Sequence, residues 1–374
     1  MKKYLIHIAL FLLMLTPASN AAYIDTDAEV AVVIDGHTGK VLFSKNKDKK
    51  TYPASMTKIM TTLIIFEKLA NETLSLDDKF LVSEKAWRER EGSSMFVEVD
   101  KEIRVEDLLR GIIVQSGNDA CIVVAENIAG TEESFAKMMT QKAKEIGMKN
   151  TNFTNSTGMY DKDNYSTVYD IALLSMHLIN EYPQYYHLFA ETEFEWSGIK
   201  QNNRNSLLYK NMGVDGLKTG HLSKSGYGLA ASAVDQNRRV ISVVNGFEST
   251  QKRTQGSSRL ITWAFREFTN LKLFEKADIV GQVEISGASS KESDVSTDKE
   301  IIITVPKSKR DGLTTNIVVD DNISAPLNAG DKVGYLEISV PGEENQTYEL
   351  YATNEIDRSN IFVRFLNYLI NLIL

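Results

Sequence analysis

Ser55 and Lys58 stand three residues apart at what reads as the start of a long apolar helix, Ser55 to about Leu69. That spacing stacks both side chains on one helical face, one turn apart. A serine hydroxyl is a weak nucleophile until a base takes its proton, and a neutral lysine amine can be that base. A helix N-terminus adds unpaired backbone N–H groups. The SxxK pattern alone says little, because six matches begin at Ser44, Ser55, Ser134, Ser197, Ser249 and Ser296. Only Ser55, just after Pro53, opens a long apolar pattern. Two further motifs add to it. Ser116-Gly117-Asn118 lies 61 residues after Ser55, between two helical patterns. Lys218-Thr219-Gly220 lies 102 residues beyond Ser116, before a pair of apolar runs. Lys218 beside Thr219 offers a fixed cation and a donor to an anionic group. Lys218 close to Lys58 would also push the Lys58 pKa down, because like charges disfavour the charged form. An amine could then act as a base near neutral pH.

Helix-start SxxK, inter-helix SxN and pre-strand KTG, in that order, form the signature of active-site-serine penicillin-recognising enzymes. The flanks YPASMTKIMT, LLRGIIVQSGNDAC and DGLKTGHLSKSGYGLAAS resemble the low-molecular-mass D-alanyl-D-alanine carboxypeptidases, the type-5 penicillin-binding proteins. The resemblance extends over residues 151 to 180, the stretch after residue 275 and the C-terminal end. It implies an α+β chain: a transpeptidase-like (serine β-lactamase-like) α/β/α domain, a small all-β domain and a C-terminal amphipathic helix. The implied activity is removal of the terminal D-alanine from peptidoglycan stem pentapeptides through an acyl-enzyme, with β-lactams as inhibitors. No metal or organic cofactor is implied. Carried over, Ser55 attacks the carbonyl of the penultimate D-alanine and Lys58 is its general base. Ser116 relays a proton to the leaving amine, and Asn118 orients Lys58 and the substrate amide. Lys218 and Thr219 hold the terminal carboxylate, with Gly220 beside them and Arg253 near the same site. The backbone N–H groups of Ser55 and His221 form the oxyanion hole, placed where negative charge develops.

Competing functions share parts of this pattern. A class A β-lactamase uses the same acylation chemistry but needs a separate glutamate for deacylation. No E-x-x-L-N segment lies between SGN and KTG. A D,D-endopeptidase is a closer rival, and a non-catalytic wall-shaping scaffold conflicts with the intact triple motif. After removal of an N-terminal signal, His37, His177, His187 and His221 remain, with no HxxxH or HExxH pair for a zinc peptidase. No G-x-S-x-G elbow is present for a Ser-His-Asp triad. Cys121 reads as a small buried residue, and its sequence position near the site raises the question of thiol reagents. Tyr160, Tyr165 and Tyr169, near the 156–170 loop, read as core or surface residues, with lining of the cleft as the alternative.

The elements that must position these groups are legible in outline. Residues 28 to 45 alternate in hydrophobicity around a turn at Asp35–Gly39, which predicts a hairpin. Helical patterns cover Val105–Gly111, Asp119–Ile128, Glu132–Ile146 and 170–180, with Leu260–Thr269 after them. Tyr227–Val234 and Val240–Phe247 read as adjacent antiparallel strands. A mixed unit over 23–273, its sheet built from both ends of that stretch, follows. Beyond it, 275–356 reads as a small all-β domain with short runs at Val280–Ile285, Ile301–Val305, Thr315–Val319 and Val333–Val340. Ser286–Lys299 reads as a charged, serine-rich loop.

The two termini read as address labels. Lys2 and Lys3, the apolar run Tyr4–Leu15 and the small residues Ser19 and Ala21 form an export signal over 1–21. Residues 358–374 read RSNIFVRFLNYLINLIL, with Asn360, Arg364, Asn367 and Asn371 on one helical stripe. As a helix about 25 Å long, polar on one side, this tail suits the surface of the cytoplasmic membrane rather than its interior. The whole chain has 374 residues and a net charge of −8, which becomes −10 without Lys2 and Lys3. Such a balance argues against nucleic-acid partners. A single cysteine excludes an internal disulfide framework, a Cys-based zinc site and an iron–sulfur cluster. Monomer and homodimer both stay open.

Overall fold

The computed structural model describes residues 23–89, 91–289 and 292–360. The expected export signal, and residues 361–374 of the expected anchor helix, lie outside the described residues. Two compact units form among the described residues: Ile24–Glu275 with Glu300–Thr304, and a second from Lys276–Lys299 together with residues 305–360.

The first unit is built on a five-stranded antiparallel sheet. Its strands are β1 (Val30–Asp35), β2 (Val41–Lys45), β3 (Val214–Leu222), β4 (Gly226–Asp235) and β5 (Arg238–Phe247), in the spatial order β2-β1-β5-β4-β3. The first hairpin is the expected one. Asp35 is buried at its turn and accepts the backbone N–H groups of His37 and Thr38. β4 and β5 are joined by Gln236 and Asn237, both at positive φ (46° and 65°). That is the two-residue geometry whose twist matches paired strands.

Among the described residues, the longer helices around the sheet are α1 (Lys58–Ala70), α2 (Val105–Ile113), α3 (Asn118–Ala129), α4 (Glu132–Glu145), α5 (Val168–Glu181) and α6 (Thr250–Glu267). β1 is buried along its whole length, so both faces of the sheet are covered. Val30, Val32 and Ile34 join a core shared with α1 to α5, while Ala31 and Val33 alternate away from it. On the other face α6 lies so close that a Cβ on Gly256 would stand 2.4 Å from the Phe247 ring. Residues 58 to 66 of α1 are all buried, as expected for a helix with neighbours on every side.

Three local readings are corrected. Ser55 does not open an α-helix: Ala54–Thr57 is a 3-10 turn, and α1 begins at Lys58. α6 begins ten residues before the expected Leu260. Its first half, TQKRTQGSSR, has no apolar repeat, and its start is fixed by Ser249, whose side chain caps the Lys252 N–H. Phe268–Phe274, partly assigned to that helix, is a strand paired with Ile301–Pro306.

The second unit is all-β. Its five-stranded sheet runs Ile279–Val283, Ser293–Ser296, Gln346–Ala352, Lys332–Ser339, Thr314–Val319 in space. Val295, Val333, Leu336, Ile338 and Leu350 fill its interior. Ser293–Ser296 lies inside the stretch read as a loop; its polar residues hide a strand paired on both sides. Arg358 and Ser359 are extended rather than helical: Arg358 bridges to Ala288, and the Ser359 N–H donates to the Gly287 carbonyl at 2.9 Å. Among the described residues, no helix is long and apolar enough to cross a membrane.

Candidate active site

The Ala54–Thr57 turn carries Ser55, and Lys58 follows at the first position of α1. Lys58 Nζ donates to Ser55 Oγ at 3.3 Å, Asn118 Oδ1 at 2.6 Å and the Thr157 carbonyl at 2.5 Å. None of these acceptors carries a charge. The side chain is buried, and burial is the largest cause that lowers its pKa. Arg204 lowers it too, while Asp119 and Glu132 raise it. Lys218, expected to push it down, is not among its leading causes: burial leads. For Lys218, whose pKa falls well below the ordinary lysine value, burial again leads and the Lys58 charge comes second.

Asn118 is set by the start of α3. Its backbone N–H donates to the Ser93 carbonyl at 2.7 Å and its Nδ2 to the Glu91 carbonyl at 2.8 Å, leaving Oδ1 for Lys58. The next residue, Asp119, is buried and binds the strap opposite. It accepts from Ser94 Oγ and from the backbone N–H groups of Met95, Phe96 and Val97. Ser116 is buried at a positive φ of 62° and lines the same cleft as Ser55.

The KTG motif lies on β3, the edge of the sheet, packed beside the Ser55 turn. Lys218 pairs with Ala230, Thr219 with Leu229 and Gly220 with Gly228. His221 stacks on Tyr227 of β4, with ring centroids 4.0 Å apart. Arg253 enters from α6. It is buried, its Nη2 donates to the Arg204 carbonyl at 3.3 Å, and its Nε has no hydrogen-bond partner. Burial lowers its pKa to about 10, so it stays charged at neutral pH.

Ser55, Ser116, Thr219, Gly220, His221 and Arg253 line one cleft of about 490 Å³, with Lys58 and Lys218 buried next to it. The structure thus assembles every site residue named from the sequence. Sequence reasoning missed Gly92, Ser93, Arg204 and Thr250, which share the lining. Arg204 donates to Ser93 Oγ across the opening. These residues sit in loops or at a polar helix start, and no motif marks them. Tyr160, Tyr165 and Tyr169 instead face lysines at the surface, with Lys224, Lys50 and Lys47 over their rings. Cys121 is buried in α3, and burial raises its thiol pKa to about 12. Lys218 and Arg253 pair with no carboxylate among the described residues, so basic side chains gather beside the Ser55 hydroxyl.

A helix-flanked antiparallel sheet with one lysine in contact with both a serine and an asparagine, beside an edge-strand KTG, defines an active-site-serine enzyme of the penicillin-recognising class. Residues 16–249 match the peptidase S11 model, described as D-alanyl-D-alanine carboxypeptidase, and residues 268–358 match the C-terminal domain of penicillin-binding protein 5. The chain is 33% identical over 348 residues to the D-alanyl-D-alanine carboxypeptidase DacA of Haemophilus influenzae, covering 92% of this chain and 88% of that one. It is 35% identical over 349 residues to DacF of Bacillus subtilis, with 91% and 88% covered. Penicillin-binding protein 5 from Haemophilus influenzae has the same fold, with a TM-score of 0.85 at 33% identity over 91% of this chain and 100% of that one. The chain belongs to the S11 family of D-alanyl-D-alanine carboxypeptidases and is a serine-type carboxypeptidase.

Proposed function

We propose that the enzyme removes the terminal D-alanine from peptidoglycan stem pentapeptides, with Ser55 as nucleophile and Lys58 as base. The observation that carries this reading is the Lys58 amine, held by Ser55, Asn118 and Thr157 with no counter-charge in contact. Neutral Lys58 takes the Ser55 proton as Oγ bonds to the carbonyl carbon of the penultimate D-alanine. The C–N bond to the last D-alanine then breaks, and Ser116 passes a proton to the departing nitrogen. Water completes the cycle by hydrolysing the ester. Asn118 keeps Lys58 and the substrate amide aligned. Lys218, Thr219 and Arg253 receive the terminal carboxylate, and the Ser55 and His221 N–H groups face the developing oxyanion. A β-lactam enters the same steps and stalls at the ester.

The supporting context for location is in the sequence. A signal-like start over 1–21 and an amphipathic end suit an exported enzyme held at the outer face of the cytoplasmic membrane.

An intact-mass time course with benzylpenicillin tests the chemistry, on the parent and on Ser55→Ala. A penicilloyl adduct on the parent alone, decaying slowly, is the expected result. Rapid penicillin destruction with no adduct would point to a β-lactamase. No adduct and no destruction would leave the non-catalytic scaffold reading.

A further inference from the structure

One of the three acceptors on Lys58 Nζ, the Thr157 carbonyl, belongs to a segment without helix or strand. Within it, Asn155 Oδ1 accepts from the Thr157 N–H, the Thr157 hydroxyl and the Gly158 N–H. Ser156 ties the segment to the helices outside it. Its carbonyl accepts from Thr61 Oγ1 at 2.7 Å, on α1 three residues after Lys58. Its backbone N–H and its hydroxyl both donate to one carboxylate oxygen, Glu132 Oε1, at 3.2 and 2.7 Å. Glu132 is the first residue of α4, and its side chain is 13% exposed. Its second oxygen faces Lys85 Nζ at 3.3 Å.

We propose that Glu132 is a positioning residue for the serine–lysine step: through Ser156 it holds the Thr157 carbonyl against Lys58 and so aims the amine at Ser55. This rests on the reading of Lys58 as the base.

Two physical consequences separate this role from simple support of the fold. The first is geometric. Without the carboxylate, the Ser156 N–H and hydroxyl lose their shared acceptor in a buried place, which favours relaxation of the segment. Gly158 presses on the nucleophile turn: a Cβ there would stand 1.9 Å from the Ala54 carbonyl oxygen. Movement at 156–158 is therefore felt by the Ser55 turn as well as by Lys58. The second is electrostatic. The groups around Lys58 are Asp119 and the thiol of Cys121 on α3, Arg204 and Lys218 on the cleft side, and Glu132 with Lys85 behind it. The Glu132 charge favours the ammonium form of Lys58. Its removal takes that charge away and so favours the neutral amine.

The test uses the full-chain enzyme on a peptide ending in D-Ala-D-Ala, with kcat, KM and the pH dependence of benzylpenicillin acylation measured for Glu132→Ala, Glu132→Gln, Ser156→Ala and the double alanine variant. Glu132→Ala is expected to lower kcat about tenfold, a part of the hundredfold or more that a placed base supplies, with KM nearly unchanged. The acidic limb of acylation should move to lower pH in both Glu132 variants. Glu132→Gln keeps an acceptor for Ser156 and should recover most of kcat while keeping the displaced limb. The double variant should be no slower than Glu132→Ala, since both changes cut the same link. An unmoved limb in both Glu132 variants, or losses that multiply in the double variant, would overturn the proposal. Should Glu132→Ala fail to fold, Glu132→Gln and Ser156→Ala decide it by the same criteria. A parent profile without any acidic limb would instead overturn the assignment of Lys58 as base, and this proposal with it.

Discussion

A Cβ on Gly220 would stand 2.7 Å from the carbonyl oxygen of Pro53, two residues before the nucleophile. The neighbouring contacts, Ala54 Cβ and Met56 Cγ at 3.3 Å, are tight as well. The glycine of KTG is thus what lets an edge strand approach the Ser55 turn. Its partner is backbone and cannot swing aside. Gly220→Ala should push β3 away from Ser55 and slow acylation by about a hundredfold, the scale of a misplacement near 1 Å. β3 stays paired to β4, so the melting temperature should fall only modestly. Acylation by benzylpenicillin and a thermal melt measure both; a parent-like rate would show that this contact does not set the site.

Lys218 is buried and pairs with no carboxylate among the described residues, and burial drives its pKa well down. A lysine whose folded pKa is depressed binds fewer protons in the folded state than in the unfolded chain. Its cost is therefore full below the folded pKa and is relieved as pH rises toward the unfolded value of about 10.5. Lys218→Met should abolish efficient turnover of carboxylate-terminated peptides yet stabilise the protein at pH 7, by about 1 kcal/mol or more. The gain should shrink toward pH 10. Thermal melts of both proteins at the two pH values check this, and a less stable Met variant at pH 7 would contradict it.

The catalytic sheet and its motifs were legible for a physical reason. β1 and β5 are strongly apolar, α1 is rich in Ile, Leu, Met and Phe, and each motif sits at the edge of such a pattern. α6 was legible only in its second half, because its first turns face the cleft and carry polar residues such as Arg253 where a core helix would carry leucines. Ser293–Ser296 escaped notice because four mostly polar residues show no period. The Lys58 contacts were half legible: Asn118 belongs to a motif, but the Thr157 carbonyl is backbone, which residue types do not reveal. Arg204 and Ser93 come together across 111 positions, and nothing local links them.

Cys121 should be silent in the folded enzyme. Its thiol is buried and burial raises its pKa to about 12, so almost no thiolate forms at pH 8. Iodoacetamide at pH 8 should leave the native mass unchanged and add one carbamidomethyl group in urea. Alkylation of the native protein with loss of acylation would place the thiol within reach of the cleft.

The tail makes a prediction about location. Arg358 Nε donates to the Ala325 carbonyl at 2.7 Å, so the β unit keeps its closing contacts when the chain is cut after Asn360. Deletion of residues 361–374 should move the enzyme from the membrane to the soluble fraction with its acylation rate intact. Membrane retention of the shortened chain would rule out this segment as the main anchor.

Arg253 can be separated from Lys218 by the substrate it serves. Its guanidinium projects from α6 onto the cleft with Nε unpartnered, and it remains charged at neutral pH. Such a group gains most from an anion that can accept from it directly. A hydrogen bond between charged groups contributes about 1.5–3 kcal/mol, which corresponds to about ten- to hundredfold in kcat/KM. Arg253→Gln should impose that loss on a peptide acid ending in D-Ala-D-Ala. The same peptide with a C-terminal amide lacks the anion, so parent and variant should cleave it equally slowly. The decisive quantity is the ratio of the two substrates in each protein, because a general disturbance of α6 would slow both alike and leave the ratio unchanged.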